Sequence, residues 1–464
     1  MFSNAKIHFE ISERKILLRL FDVVSVLGLL YLLGIIFDFN YFKITQSNFY
    51  WVIILSLYLL FFGSVFEMYN LQTASNQFKI TKSIVLTSSI TVLSYLLTPF
   101  FTPSLPSNRL QIILFYFAVV VSLFVWRFIY LNFFASNRFF KKVLLVCNQD
   151  ELLELVNGLG KIDPNYKIDG FINTDNTNLV LKKTQGVALV TLENAEIYIK
   201  ENNISEIVIA AQKTDNITVT LYNTLLKLLE SGLTIREYTQ VYESITQRIP
   251  VQYVARDFYK YFPFSRSNNN KLYLVVMRFL EIIVSVLGLL FGFALLPFIL
   301  IGNIFGNKGK LFYIQERVGQ NGVVFNIYKL RSMITNAEES GAVFAATNDV
   351  RITPFGKFLR KSRLDEFPQF INVLKGNMAI IGPRPERPIF VEKIAETMPF
   401  YQTRHILKPG LTGWAQVNYA YGESIQDSLI KLQYDLYYIK HRSIFLDLNI
   451  VVKTCSTILF YRGQ

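Results

Sequence analysis

Cysteine and histidine are scarce, with two and three in 464 residues. Cys147 and Cys455 stand far apart and lack metal-ligand spacing. That excludes a disulfide scaffold and a structural zinc site, and is compatible with a reducing compartment. Charge is scarce too. Charged residues make up 17% of the chain, whereas hydrophobic residues reach 52% and mean hydropathy is +0.32. A soluble domain carries about 25% charged residues, so a disordered chain and an ordinary soluble enzyme are both excluded, and a membrane protein is expected. Acids are the rarer sign, 34 against 47 Lys and Arg, for a net charge of +13. In an apolar chain this surplus points to anionic lipid headgroups and phosphate-bearing ligands. No basic stripe or nucleic-acid motif stands out, so nucleic acid is not an expected partner.

At this length, two or three structural units are expected. Four apolar stretches fill the first third, roughly Ile16 to Phe37, Phe49 to Phe66, Ile80 to Phe101 and Leu110 to Tyr130. Each approaches the ~20 residues a helix needs to cross a bilayer. The first is too long for a signal core and has no small-residue cleavage site, so it reads as a span. Within it, Arg19 and Asp22 lie one helical turn apart, placed to pair with each other or to face neighbouring helices. Lys6, Arg14 and Lys15 precede the first span, and Arg138, Lys141 and Lys142 follow the last. With Lys79 and Lys82 before the third span, and only Lys43 and Arg109 in the other connections, both ends of the bundle are expected in the cytoplasm.

From Lys141 to about Tyr261 the composition turns soluble. Val143 to Cys147, Ile207 to Ala211 and Leu233 to Tyr238 read as strands; Glu151 to Leu159 and Leu221 to Leu229 read as helices. The alternation predicts a parallel α/β domain. A dinucleotide-binding unit places glycines directly after its first strand. Here the turn is Cys147-Asn148-Gln149-Asp150, so the domain reads as structural or regulatory. Ser265 to Asn270 makes a polar linker. Leu272 to Ile301 is hydrophobic but interrupted by Arg278, Glu281 and Pro297. It reads either as a kinked fifth span or as a broken helix that enters and leaves by one face.

The densest charged cluster runs from Arg360 to Gln369 and contains the pair Asp365–Glu366. Its basic residues, interleaved with Phe355, Phe358 and Leu359, suit an amphipathic helix at a membrane surface. Gly382-Pro383-Arg384-Pro385-Glu386 is a rigid turn presenting a guanidinium, a natural grip for phosphate. Gln315 to Gly319 and Tyr328 to Arg331 add cations, and Lys408 to Val417 packs turn residues around Trp414. Carboxylates among phosphate-binding cations at a lipid interface fit phosphoryl transfer. A carboxylate can act as the nucleophile, and a divalent ion can neutralise the developing charge.

From about Lys271 to Gln464 these motifs, in this order, resemble the bacterial polyprenyl phosphoglycosyl transferases of the monotopic type. The matching stretches include Tyr328 to Met333, Asp349 to Gly356, Leu364 to Gln369, Asn372 to Leu374, Gly382 to Pro385 and Pro409 to Val417. The upstream parts resemble the large members, which include undecaprenyl-phosphate glucose and galactose phosphotransferases. The resemblance implies three parts. Residues 1–138 would form a four-span membrane α-helical bundle, and residues 139–264 a degenerate, cytoplasmic Rossmann-like α/β domain. Residues 265–464 would form a mainly α monotopic catalytic domain with a re-entrant helix at about 272–301, broken at Pro297.

It further implies that Asp365 attacks the β-phosphate of a UDP-sugar, releasing UMP, and that undecaprenyl phosphate then takes the phosphosugar. Glu366 would hold Mg2+. Arg384 would bind phosphate, and Arg360 would assist there or contact the lipid phosphate, with Lys329, Arg331, Thr412 and Gln416 as further substrate-binding candidates. The setting would be the bacterial inner membrane, at the first membrane step of exopolysaccharide, capsule or O-antigen synthesis, with a homodimer expected. Gly376-Asn377-Met378-Ala379 departs from the family's usual Gly-Asp-Met-Ser and supplies no carboxylate there. Two other readings make different predictions. An ordinary lipid glycosyltransferase would release UDP, and a membrane scaffold or regulator would release neither nucleotide.

Overall fold

The computed structural model describes residues 11–459, apart from 37–40, 43–47, 75, 107, 135–140, 161–165, 175–186, 211–217, 252–267, 308, 336, 338–348, 399 and 420–423. The chain forms two compact units, Met1–Thr246 and Gln247–Gln464.

The first unit opens with α1 (Ile11–Ile36), α2 (Tyr50–Val65), the single turn α3 (Leu71–Ala74), α4 (Gln77–Leu96) and α5 (Arg109–Ile129). Asn76 and Asn108 cap α4 and α5, their side-chain oxygens accepting from Lys79 N at 3.0 Å and Leu110 N at 2.9 Å. All four expected stretches are helical, but they differ in reach. α1 and α5 are long and apolar enough to cross a membrane, whereas α2 has 16 residues, about 24 Å of helix against a hydrocarbon core of about 30 Å. α4 carries a buried polar face of Ser83, Thr87, Ser88 and Thr91. Among the described residues, two helices of this unit therefore meet the requirements for a span where four were expected.

Asp22 does not pair with Arg19. It reaches across the bundle to Arg127 on α5 at 2.6 Å, with both side chains almost fully buried. Arg19 and Arg127 instead lie over the Tyr69 ring, 5.3 and 5.8 Å from its centroid. A buried carboxylate without a countercharge is costly, so the charge at Asp22 selects the α1–α5 contact. Arg127→Leu is expected to destabilise the bundle by about 3–5 kcal/mol, and the double variant with Asp22→Leu to recover most of that. Thermal unfolding in detergent is the readout.

Beyond the bundle, β1 (Lys141–Cys147), α6 (Gln149–Gly160), β2 (Tyr166–Asn173), β3 (Ala188–Leu189), α7 (Ala195–Asn202), β4 (Glu206–Ile209), α8 (Val219–Glu230), β5 (Thr234–Glu237) and α9 (Tyr238–Thr246) form an α/β layer. The sheet is wholly parallel, in the order β3-β2-β1-β4-β5. β1 lies at its centre, and Val143 to Cys147 are fully buried, as a strand covered on both faces requires. Burial pushes the Cys147 thiol up to about 12. After β1, in place of a glycine turn, the Asn148 side-chain oxygen accepts from the Thr174 hydroxyl. At the start of β4, the buried Glu206 is matched by Lys141 and Arg236.

In the second unit, Gln247 to Val251 already pack into the core. Ile249 N donates to Gln433 O at 3.1 Å, and Trp414 Nε1 to Gln247 O at 3.1 Å. Residues 265–267 of the expected linker lie outside the described residues. The elements that follow are α10 (Lys271–Gly306), β6 (Phe312–Val318), β7 (Val324–Leu330), α11 (Pro354–Lys361), α12 (Gln369–Lys375), β8 (Ala379–Ile381), α13 (Pro388–Thr397), β9 (Gly410–Thr412), α14 (Trp414–Asn418), α15 (Ile425–His441) and α16 (Ile444–Leu459). Helices dominate, as expected. The antiparallel β6–β7 hairpin and the parallel β8–β9 pair add strands that the sequence pattern did not announce.

α10 is a single helix of 36 residues, apolar enough to cross a membrane, and Pro297 lies inside it rather than in a gap between two helices. It is tied to the rest of the unit along its length. Near its start the Tyr273 hydroxyl donates to Asp447. Arg278 then donates to Val373 O at 2.7 Å and Leu374 O at 2.9 Å, filling the open carbonyls at the end of α12. Just past its end, Asn307 Nδ2 donates to Arg331 O at 2.7 Å. Between these anchors, glycines on either side of Pro297 seat phenylalanine rings. A Cβ at Gly292 would stand 2.3 Å from the Phe367 ring, and one at Gly302 2.3 Å from the Phe355 ring. Gly292→Leu is therefore expected to cost about 1–3 kcal/mol through overpacking. Gly28→Leu, where nothing lies within 4 Å of the added carbon, should leave the melting temperature unchanged.

Candidate active site

Thr353 and Pro354 start α11: the Thr353 hydroxyl accepts from Gly356 N at 2.9 Å, and proline suits the first helical position. The helix ends at Arg360 and Lys361, and Arg363 turns the chain with a positive φ of 57°. That left-handed residue reverses the backbone into the single 3₁₀ turn Leu364–Glu366. Asp365 and Glu366 are both buried there, each 8% exposed.

Three cations from three segments converge on Glu366. Lys329, from β7, lies 3.5 Å away; Arg384, from the proline-flanked turn, 3.2 Å; and Arg363 3.5 Å. Arg317, Lys329, Glu366, Gln369 and Arg384 line one pocket. Burial alone would raise the Glu366 carboxyl, but Arg384, Lys329 and Arg363 outweigh it and hold the group well below the usual carboxylate range. Asp365 goes the other way. Burial, and then the charge of Glu366, push it up to about 6 against the pull of Lys329, Arg360 and Arg363. Lys329 is lowered to about 8 by burial, which the attraction of Glu366 only partly offsets.

The surroundings explain the spacing of the motifs. Asn372, fully buried, donates through Nδ2 to Asn326 O at 2.7 Å and accepts from Tyr328 N at 3.1 Å. It thereby pins the strand carrying Lys329 to the helix that follows the acidic pair. The Arg384 turn is held through its carbonyls. Arg404 Nη2 donates to Arg384 O at 2.9 Å, Arg317 Nη1 to Pro385 O at 3.2 Å, and Val318 N to Glu386 O at 2.9 Å. Arg404 is itself paired with buried Asp435 at 2.7 Å. Gly382, Gly410 and Gly413 allow the turn to lie directly on the next loop, since a Cβ at Gly410 would come within 2.1 Å of Gly382 N.

Of the residues singled out from sequence, Asp365, Glu366, Lys329 and Arg384 come together. Arg360 donates through Nε to the Ser332 hydroxyl at 2.9 Å and acts on Asp365 through its charge. Arg331 points its Nε to Lys310 O at 2.9 Å. Thr412 exchanges a hydrogen bond of 2.7 Å with Thr454, and Gln416 Nε2 donates to Leu411 O at 3.3 Å. Arg363, Gln369, Arg404 and Asp435 were not singled out. Arg363 was the nearest to view, inside the charged cluster; Arg404 and Asp435 carry no local signal.

Among the described residues, no group of three or more His, Cys, Asp or Glu forms a metal cage. The acidic pair nevertheless suits Mg2+, which binds proteins through one or two carboxylates and takes its other ligands from water and substrate phosphates. Glu366 is the member placed to hold it, while Asp365 Oδ1 is buried without a hydrogen-bond partner.

Comparison with known proteins identifies most of the second unit. The model of the bacterial sugar transferase family matches residues 272–461. A UDP-N-acetylgalactosamine-undecaprenyl-phosphate N-acetylgalactosaminephosphotransferase of Aeromonas hydrophila is 36% identical over 253 residues, 54% of this chain and 58% of the relative. A UDP-glucose:undecaprenyl-phosphate glucose-1-phosphate transferase of Xanthomonas campestris is 41% identical over 191 residues, 40% of each chain. A putative undecaprenyl-phosphate N-acetylgalactosaminyl 1-phosphate transferase of Bacillus subtilis is 43% identical over 141 residues, which make up 30% of this chain and 79% of that one. This chain belongs to the bacterial sugar transferase family. It spans about half the length of the first two relatives, and the site lies within the matched part of the sugar transferase.

The buried pair behind the turn gives a stability test. Arg404→Met is expected to cost about 3–5 kcal/mol by leaving Asp435 without a countercharge. Combining it with Asp435→Leu should restore most of the loss, measured as the midpoint of thermal unfolding.

Proposed function

We propose that this sugar transferase moves a sugar 1-phosphate from a UDP-sugar to undecaprenyl phosphate, through a phosphosugar held on Asp365. The observation that carries the reading is the buried acidic pair, of which one member is neutralised by three cations and the other is not. Glu366 stays ionised and fixes the cations. Asp365 keeps an oxygen without a hydrogen-bond partner, and burial together with the Glu366 charge raises its carboxyl, making it more basic than an exposed aspartate. That combination suits a nucleophile.

In the first half-reaction, an Asp365 oxygen bonds to the β-phosphorus of the donor. The bond from that phosphorus to the bridging oxygen breaks, and the electron pair leaves with UMP. In the second, an oxygen of undecaprenyl phosphate bonds to the same phosphorus. The Asp365–phosphorus bond breaks, the carboxylate is regenerated, and undecaprenyl diphosphate-sugar departs. Lys329, Arg363 and Arg384 bind and orient the phosphates and balance their charge throughout. Glu366 would hold Mg2+, which supplies further charge neutralisation when bound. Glucose, galactose and their amino-sugar relatives are the donors to test, since the relatives' names include both glucose and N-acetylgalactosamine.

On this reading the protein sits in the bacterial inner membrane, with the site at its cytoplasmic face, and serves the first membrane step of exopolysaccharide, capsule or O-antigen assembly. α10 enters and leaves the membrane by that face, bending at Pro297. Its glycine seats on both sides of the proline dock against the same unit, and its two ends are tied to polar segments of that unit.

The test is incubation of detergent-solubilised protein with Mg2+, undecaprenyl phosphate and a panel of UDP-sugars, followed by identification of the released nucleotide. UMP from at least one donor is expected, with Asp365→Asn lowering its release by at least about 10³-fold without loss of fold. UDP in place of UMP overturns the covalent route, as does turnover retained by Asp365→Asn.

A further inference from the structure

Gln369 opens α12, four residues beyond Asp365, and lines the same pocket as Lys329, Glu366 and Arg384. It is 3% exposed, and its Nε2 is buried without a hydrogen-bond partner. A buried amide donor left unpaired is expensive, and native proteins rarely keep one without a use. Among the described residues, no neighbour pairs with it. Lys329 and Arg384 are donors themselves, and Glu366, the nearby acceptor, already faces three cations. The Gln369 amide is therefore a donor in the pocket lining that an acceptor from outside can pair. A phosphoryl group, with several oxygens and no proton to give, matches that lining.

We infer that Gln369 Nε2 donates a hydrogen bond to a non-bridging oxygen of the phosphoryl group that Asp365 attacks. The inference rests on the proposed transfer reaction. The short segment carrying the acidic pair ends at Gln369, so the Asp365 oxygen without a partner and the Gln369 amide without one share one rigid piece of backbone. The first would bond the phosphorus while the second holds one of its oxygens. A neutral donor binds that oxygen without adding to the cationic charge that already repels Lys329. Because the same phosphoryl group is present in both half-reactions, Gln369 serves both.

The experiment compares the full-length protein with Gln369→Met, which keeps the length of the side chain and removes the donor, and Gln369→Glu, which puts an acceptor in its place. Steady-state rates of UMP release and of lipid product formation are measured against UDP-sugar and against undecaprenyl phosphate, and folding is checked by melting temperature. Gln369→Met is expected to lower kcat/KM 10–100-fold for both substrates, and Gln369→Glu to lower it further, each with a melting temperature close to that of the unaltered protein. Values within twofold of the unaltered protein for both variants overturn the inference. A loss confined to one substrate overturns the assignment to the transferred phosphoryl. If Gln369→Met unfolds, Gln369→Glu decides by the same criteria. Failure of the underlying reading shows separately, as an unaltered protein that releases no UMP from any donor.

Discussion

Everything in the catalytic unit answers to one constraint, the presence of a buried acidic pair. Two carboxylates side by side out of water cannot both be ionised unless countercharge is supplied at short range. The fold supplies it unequally. Lys329, Arg363 and Arg384 all reach Glu366 within 3.5 Å, while Asp365 feels cations only through space. The asymmetry separates the two groups: one is held firmly as an anion, and the other is left basic and uncommitted. Each cation comes from a different local structure, a strand, a reversed turn and a proline-flanked loop. The site therefore exists only when those three have been brought together.

Their assembly is governed by residues that have no chemistry of their own. Asn372 joins the Lys329 strand to the helix after the acidic pair through two hydrogen bonds. Arg404 and Arg317 take the carbonyls of the Arg384 turn. The glycines of α10 let Phe355, Phe367 and Phe370 sit against the helix backbone, and two of those rings belong to the segment that carries the pair. The long apolar helix and the turn that carries the acidic pair thus share one packing surface.

The sequence revealed the residues that bear charge within short motifs: Asp365, Glu366, Arg384 and Lys329 were all visible as such, as was the parallel α/β layer from its alternating runs. What it hid follows from geometry. Arg404 and Asp435 are far from the motifs in sequence and meet the turn only through the fold. Asp22 lay one helical turn from Arg19, and the linear pattern could not tell that pairing from the contact with Arg127, 105 residues away. Thr412 and Gln416 show the opposite difficulty. They sit inside a motif, yet their side chains bond to Thr454 and to the Leu411 carbonyl, and the same stretch contains Gly410 and Gly413, whose missing Cβ atoms admit the Arg384 turn. A motif of this kind records how closely two backbones approach as much as what they bind. Among the described residues α4 falls short of the criteria for a span for a similar reason, since it fills its buried face with serine and threonine rather than with aliphatic side chains.

The charge balance of the pocket bears on how one site can serve two unlike substrates. Three cations surround one permanently ionised carboxylate, so the pocket keeps a net positive charge even with Glu366 in place. On the proposed reaction, a nucleotide diphosphate and a lipid phosphate must each occupy it in turn, and they share only their phosphoryl oxygens. A site built from directional contacts to a sugar or a base would favour one and exclude the other. Point charges and amide donors aimed at oxygen accept both. On that reaction, discrimination between donors rests on contacts outside the pocket.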